Sequence, residues 1–326
     1  METLRQNIED RIKPILDKAG MYYRIFSRVK SDDSIRKKLA CKEEEYKKNG
    51  KKIQDIIGLR IVFYFQEDVI IFYERLRQME GYDRQNESNS SKDLKKLSEI
   101  IKSWDEADAE NKSMLKKLLP FHDKIFMPER LNLVMQMTLQ EKEMFKSLLQ
   151  KYGASANLID ATYEIQLRTV LSEGWHEIEH DLRYKTRDED WWDFCDNESR
   201  MLNGIYASLE TDERALSQMI QEITYKNYKH HSWDAMIRFH FCMRMTEEKL
   251  PHNLCQILDQ DGRLAKEILH VTKQELSTWL WKLPNRIPIS TKFVLFLLNR
   301  ERLESPAITA MENESVKMLL NPLTSE

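Results

Sequence analysis

The sequence predicts an α/β domain up to about residue 190 and an all-helical region after it. Before residue 190, three stretches predict strands: the first is rich in β-branched and aromatic residues, and the last alternates its side chains as a half-buried strand does. They are 59–65 (LRIVFYF), 131–137 (LNLVMQM) and 163–168 (YEIQLR). After residue 190 the apolar residues follow a helical period, and five prolines separate shorter helices. We therefore place a domain boundary near residue 190, with domains 1–190 and 191–326.

The predicted helices precede, separate and follow these strands. Apolar residues at spacings of three and four are typical of one buried helix face. Ser34 is a candidate N-cap for the helix that starts at Ile35, and Gly153 is a candidate C′ residue. Residues 84–120 are polar and predict a long insertion. The predicted helices are 2–18, 35–39, 67–79, 141–153 and 171–182, the last with Leu171, Trp175, Ile178 and Leu182 on one face.

Composition narrows the class of protein. The chain has 326 residues, of which 41% are hydrophobic and 32% charged, so it can bury a core and still face water. A net charge of −3 gives no global attraction to nucleic acid, so an anion site has to be a local basic cluster. The four cysteines form no CxxC pair, and the longest apolar run, FVLFLLN, is too short to span a bilayer. We expect a cytoplasmic protein with no membrane segment.

A basic cluster lies in the stretch RVKSDDSIRKK. Cations alternate along its extended first part, and a helix N-terminus follows. This arrangement can hold a triphosphate through charge-assisted hydrogen bonds and the helix dipole. A solvated basic stretch is the alternative interpretation.

Two carboxylates accompany the predicted strands. Asp55 precedes the first strand, where a carboxylate can serve as a Mg²⁺ ligand in a phosphoryl-transfer site, and Gly58 would let another backbone come close. Glu164 shares one strand face with Gln166 and Arg168, and it can share a metal with Asp55 or accept a proton from a hydroxyl. A turn residue and a solvated strand face are the alternatives.

The order of three motifs resembles the synthetase domain of RelA/SpoT homologues. The motifs are RVKSDDSIRKKL, KIQDIIGLRIVFYFQEDV and YEIQLRTVLSEGWHEIEHDLRYK, and the resemblance covers roughly residues 20–190. It implies an α+β fold, a mixed β-sheet flanked by helices that is related to the nucleotidyltransferases, followed here by a helical region. It also implies transfer of pyrophosphate from ATP to the 3′-hydroxyl of a guanine nucleotide, which makes (p)ppGpp.

The resemblance assigns roles to the matching residues. It implies that Asp55 and Glu164 are catalytic and hold Mg²⁺, with Glu164 activating the acceptor hydroxyl. Gln166, Arg168 and Asn132 are expected on the acceptor side. The residues expected to bind ATP are Arg28, Lys30, Ser34, Lys38 and Arg60.

The sequence departs from the family in the acceptor-binding loop. Pro128 stands where the family has a base-stacking tyrosine, and Asn132 stands where it has a histidine. Three hypotheses follow: GDP or GTP as acceptor with Tyr82 or an insertion aromatic replacing the ring, another acceptor such as a tRNA 3′ end, or a catalytically silent nucleotide sensor. The basic runs at 47–52 and 116–117 fit an RNA acceptor. A homo-oligomer, and a regulatory partner bound through 191–326, are further hypotheses.

Overall fold

The computed structural model describes residues 1–49, 52–83, 131–179, 196–284 and 287–320. The chain forms two compact units. The described part of the first is 1–13, 23–49, 52–83 and 131–174, and that of the second is 14–22, 175–179, 196–284 and 287–320. The boundary expected near residue 190 and the insertion expected at 84–120 lie outside the described residues.

The first unit contains a mixed four-stranded sheet in the order β1-β2-β4-β3. Strand β1 is antiparallel to β2, β2 is parallel to β4, and β3 is antiparallel to β4. This is the mixed sheet that the resemblance implies, and three of its strands overlap the stretches predicted from the sequence. The strands are β1 (Tyr23–Val29), β2 (Ile57–Phe63), β3 (Leu131–Gln136) and β4 (Thr162–Thr169).

The sheet has one buried face and one more polar face. Along β4, the buried Ile165 and Leu167 alternate with the half-buried Gln166 and Arg168. Alternation follows from the two-residue period of a strand. A helix packs against the apolar side, where the Phe63 and Phe72 rings are 5.6 Å apart. The apolar side anchors the sheet and leaves the polar positions open to a ligand.

In the described residues, five helices accompany the sheet. They are α1 (Glu2–Lys18), α2 (Asp32–Asn49), α3 (Gln66–Arg77), α4 (Leu139–Leu149) and α5 (Val170–Glu179), with a 3₁₀ segment at Gln150–Leu158. The unit division falls within α1 and within α5.

Three local predictions about these helices were wrong. Helix α2 begins before Ser34, because the Ser31 hydroxyl accepts a hydrogen bond from the Ser34 N–H (3.3 Å) and so caps the helix earlier. Helix α4 ends at Leu149, and Gly153 adopts its positive φ of 56° inside the 3₁₀ segment. In α5, Ile178 is 54% exposed, so it does not belong to a buried face.

The second unit is helical in its described residues, as predicted. Its long helix Asp196–Lys229 confirms the helical periodicity predicted for the residues after 190. Pro251 precedes the helix His252–Gln260, and Pro306 opens the helix Pro306–Thr309. After α1 and α5, its helices are α6 (Asp196–Lys229), α7 (Trp233–Phe241), α8 (His252–Gln260), α9 (Gly262–Ile268), α10 (Lys273–Lys282), α11 (Thr291–Leu298), a π-helical turn (Asn299–Leu303), α12 (Pro306–Thr309) and α13 (Glu314–Leu320).

Two apolar stretches form much of the core of this unit. The Met- and aromatic-rich stretch at 230–245 contributes Trp233, Met236 and Phe241. Helix α11 contains the longest apolar run of the sequence, and all its residues from Phe293 to Leu298 are buried. Among the described residues, no helix combines the length and the apolar composition that crossing a bilayer requires.

Candidate active site

Strand register places five of the candidate residues in two rows across one face of the sheet, with Arg168 beside Val62 in the next row. Residues that pair laterally in a sheet point to the same face. We call this face the polar face. One row is Phe26, Arg60, Gln166 and Asn132, and the other is Arg28, Gly58, Glu164 and Val134.

Asp55 lies in the connection before β2 and is held by two lysines. Lys30 Nζ donates to its Oδ2 at 2.6 Å, and Lys38 Nζ donates to its Oδ1 at 3.0 Å. Burial pushes the pKa of Asp55 up, but the hydrogen bonds and charges of the two lysines outweigh burial and hold its pKa below the usual value. Asp55 is therefore a carboxylate at neutral pH, and it brings both cations to one point.

Glu164 lies on β4 next to this cluster. The Gln166 side-chain amide donates to its Oε2 at 3.1 Å. Burial raises the pKa of Glu164 and the charge of Asp55 raises it further, against the opposing hydrogen bond from Gln166 and the charges of Arg168 and Lys30. A carboxylate with a raised pKa is a stronger base than an exposed one, which suits a group that accepts a proton.

The two carboxylates fit a Mg²⁺ ion. They lie close enough that the Asp55 charge perturbs Glu164, and a cation between them would relieve this repulsion. Mg²⁺ is commonly bound by one or two carboxylates together with substrate phosphates. No cluster of three or more His, Cys, Asp or Glu side chains occurs among the described residues, and a site of this kind needs none.

Arg60 connects the sheet to the helix that follows β4. Its Nη1 donates to Glu173 Oε1 in the first turn of α5 at 2.6 Å, and its Nε donates to Gln166 Oε1 at 3.2 Å. Glu173 Oε2 is buried and has no hydrogen-bond partner within the part of the chain that is described. An unpaired buried carboxylate oxygen is costly, so Glu173 depends on its hydrogen bond with Arg60.

Gly58 has a different role from the one expected. A Cβ atom built there meets nothing within 4 Å, so no other backbone approaches it among the described residues. Gly58 stands between Arg28 on β1 and Glu164 on β4. The missing side chain leaves open space between a cation and the base.

The remaining candidates are spread around this centre. Arg28 is exposed on β1, and Arg168 and Asn132 are half-buried on β4 and β3. Ser34 is exposed, and its hydroxyl accepts a hydrogen bond from the Ser31 hydroxyl at 2.8 Å. Register brings all of these except Ser34 onto or next to the polar face.

Two residues of the site were missed in the sequence. Glu173 was overlooked because nothing local links it to Arg60, which is 113 positions away. Phe26 is 53% exposed and shares a row with Arg60. The sequence could have indicated Phe26, because the alternation Arg24, Phe26, Arg28 places an aromatic ring between two cations on one strand face.

The acceptor side is only partly described. Tyr82 pairs with the buried Met135 of β3, so its side chain leaves on the face of Met135 and not on the polar face. Tyr82 therefore does not replace the missing stacking ring. Pro128, the insertion and the lysines at 116–117 lie outside the described residues, as do residues 50 and 51 of the run at 47–52.

Comparison with known proteins supplies a family. The protein-family model described as "Region found in RelA / SpoT proteins" matches residues 27–189, which is half of the chain. No curated protein sequence matches.

Solved structures also match this chain. Small alarmone synthetase 1 from Bacillus subtilis is 19% identical, over 68% of this chain and 93% of that one, with a TM-score of 0.40. The same synthetase bound to its product pppGpp is 20% identical, over 68% and 94%, with a TM-score of 0.41. A GTP pyrophosphokinase family protein from Streptococcus pneumoniae is 18% identical, over 68% and 87%, with a TM-score of 0.39.

Proposed function

The chain belongs to the RelA/SpoT family, and we propose that it is an ATP-dependent pyrophosphokinase. It transfers a pyrophosphoryl group from ATP to the 3′-hydroxyl of a nucleotide, as in (p)ppGpp synthesis, or to another acceptor hydroxyl. The observation that carries this proposal is the adjacency of an ionised carboxylate, a carboxylate of raised pKa and two lysines at the polar face.

The donor side is formed by cations that converge on one place. Lys30 and Lys38 already point at the Asp55 carboxylate, and a phosphate oxygen presents similar acceptors. ATP would exchange these partners, so that the lysines bind its phosphates. Arg28 and Arg60 lie on neighbouring strands of the same face, and Ser34 lies in the first turn of α2. Fixed cations of this kind supply the charge neutralisation that phosphoryl transfer needs.

The chemical step requires one base and one leaving group. The acceptor oxygen attacks the β-phosphorus of ATP, the bond from that phosphorus to the α–β bridging oxygen breaks, and AMP leaves. The hydroxyl proton passes to Glu164, whose burial raises its pKa and makes it a better acceptor than an exposed glutamate. Gln166 holds Glu164 Oε2 and so limits the directions in which the carboxylate turns.

Asp55 and Glu164 are the residues that would hold Mg²⁺. When bound there, the ion would neutralise phosphate charge and orient the phosphate chain. If Asp55 held the ion, Lys30 and Lys38 would be left to bind the phosphates.

The acceptor is expected beside Gln166, Arg168 and Asn132. Gln166 and Arg168 lie on β4 with Glu164, and Asn132 lies on the neighbouring β3. The family's reaction favours GDP or GTP, and the altered loop leaves other nucleotides and a tRNA 3′ end as further candidates. A catalytically silent nucleotide-sensing module is the competing hypothesis.

The test is a transfer assay on the full chain. The protein is incubated with Mg²⁺ and ATP labelled on the γ-phosphate, with GDP, GTP, ADP, ATP or deacylated tRNA as separate acceptors. We expect label on one acceptor and a loss of about 10²-fold or more in Glu164→Gln. Binding of ATP without transfer to any acceptor would instead establish the silent sensor.

A further inference from the structure

Four side chains form a continuous hydrogen-bonded chain across the polar face. Glu173 accepts from Arg60 at 2.6 Å, Arg60 donates to Gln166 at 3.2 Å, and Gln166 donates to Glu164 at 3.1 Å. We propose that Glu173 is a positioning residue: it fixes Arg60, and through Arg60 and Gln166 it sets the orientation of the Glu164 carboxylate. The catalytic consequence rests on the proposed function.

The direction of each bond follows from the donors available. A guanidinium only donates, whereas a glutamine amide has one accepting and one donating end. Because Arg60 donates to Gln166 Oε1, the Gln166 amide nitrogen is left to face Glu164. A flipped amide would place oxygen against carboxylate and nitrogen against guanidinium, and both bonds would be lost. A fixed Arg60 therefore selects the only amide orientation that supports the base.

Glu173 is placed to fix Arg60. The Glu173 side chain is 15% exposed and that of Arg60 is 29%, so water screens the pair less than a surface ion pair. The backbone helps, because α5 starts directly after β4, which carries Glu164 and Gln166. The carboxylate that holds the arginine and the carboxylate that acts as base are thus attached to one strand–helix junction.

The test uses Glu173→Gln in the full chain with two measurements. The first is the ¹⁵N–¹H spectrum of the Gln166 side-chain amide, assigned by its disappearance in Gln166→Leu. The second is kcat for transfer to the best acceptor. We expect shifted Gln166 signals and a fall of about 10- to 100-fold in kcat, the size of effect that small misplacements of a reacting group produce. The double variant with Gln166→Leu should be no slower than the slower single variant.

Glu9→Gln is a matched control. Glu9 is a 17% exposed glutamate of the same unit, and it pairs with Arg5 at 2.9 Å. It also accepts from Ser27 at 2.6 Å, and Ser27 alternates with the polar-face positions of β1. This variant should leave the Gln166 signals and kcat unchanged.

The outcomes separate the two proposals. Unchanged Gln166 signals in Glu173→Gln would overturn the positioning role, and so would shifted signals with an unchanged kcat. Independent, multiplicative losses in the double variant would also overturn it. If the wild type transfers to no acceptor, the proposed function fails, and the Gln166 signals alone then decide whether Glu173 organises this chain of side chains.

Discussion

Asp55→Asn should bind Mg²⁺-free ATP more tightly than the wild type does, although it should lose transfer. In the structure, Asp55 occupies the two lysines that are proposed to bind phosphate. Phosphate has to displace this carboxylate whenever no metal takes Asp55 away. An amide of the same shape cannot form the ion pairs, so the substitution removes the competitor and frees both cations.

The size of the expected increase in ATP affinity follows from the two ion pairs that Asp55 forms. The side chains of Lys30, Lys38 and Asp55 are 21%, 30% and 34% exposed, so both pairs are partly solvated. Pairs of this kind are worth about 0.5–1 kcal/mol each, and two of them give about 1–2 kcal/mol. That corresponds to an affinity increase of about 5- to 30-fold. Removing the repulsion between Asp55 and the phosphates acts in the same direction.

The assay is isothermal titration calorimetry with ATP in EDTA, followed by the transfer assay with Mg²⁺. Asp32→Asn is the control, because Asp32 is also an aspartate paired with a lysine, Lys151, at 2.6 Å, and it lies on α2, the helix that carries Lys38. The control should leave Mg²⁺-free affinity unchanged. An Asp55→Asn variant that binds Mg²⁺-free ATP equally or less tightly, while unfolding at the wild-type temperature, would show that the two lysines do not face the triphosphate.

Four further outcomes are expected. Phe26→Ala should weaken ATP binding in the same calorimetry by about 1–3 kcal/mol, because the exposed ring is placed to stack on a base. Gly58→Val should keep the wild-type unfolding midpoint, since the added Cβ meets open space, but it should abolish transfer by filling the gap before Glu164. Burial pushes the pKa of Asp234 up, but hydrogen bonds from Thr291, an arginine and a backbone N–H hold it below the usual value. The ionised Asp234 therefore stabilises the fold fully above about pH 4, and this contribution is lost as pH falls through the lowered pKa. Urea midpoints should drop more steeply in acid for the wild type than for Asp234→Asn. Phe296→Ala should cost about 3–5 kcal/mol in urea unfolding, because the ring is fully buried.

The sheet was largely predictable because its strands have strong local signals. The stretch 59–65 is β-branched and aromatic, and 163–168 alternates strictly, and both lie in strands within two residues of the expected bounds. The exposed strand β1 was expected only as an extended segment, because alternating cations describe its chemistry but not its pairing partner. The long helix α6 was found from its period, which 34 residues make unambiguous.

Contacts between distant residues were not predictable. Arg60 and Gln166 are 106 positions apart, and only the parallel register of β2 and β4 makes them neighbours. A shift of one residue in that register would turn Gln166 to the other face. Strand pairing also decides the face of Tyr82, which was a candidate to replace the missing tyrosine because it is aromatic. Its pairing with Met135 assigns it to the buried face.

Under the proposed function, the order of the strands would place donor and acceptor at different sides of one small sheet. Strand β1 supplies Arg28 at one side, β3 supplies Asn132 at the other, and Glu164 lies between them on β4. Neighbouring strands are about 4.8 Å apart, so Arg28 and Glu164 are separated by two strand spacings, about 10 Å, with the bare Gly58 between them. That gap is wide enough for a phosphate group and its counter-ion, and no side chain of the row fills it. Under the proposed function, a change of acceptor would therefore involve β3 and the residues before it, while Arg28, Asp55 and Glu164 would keep their roles.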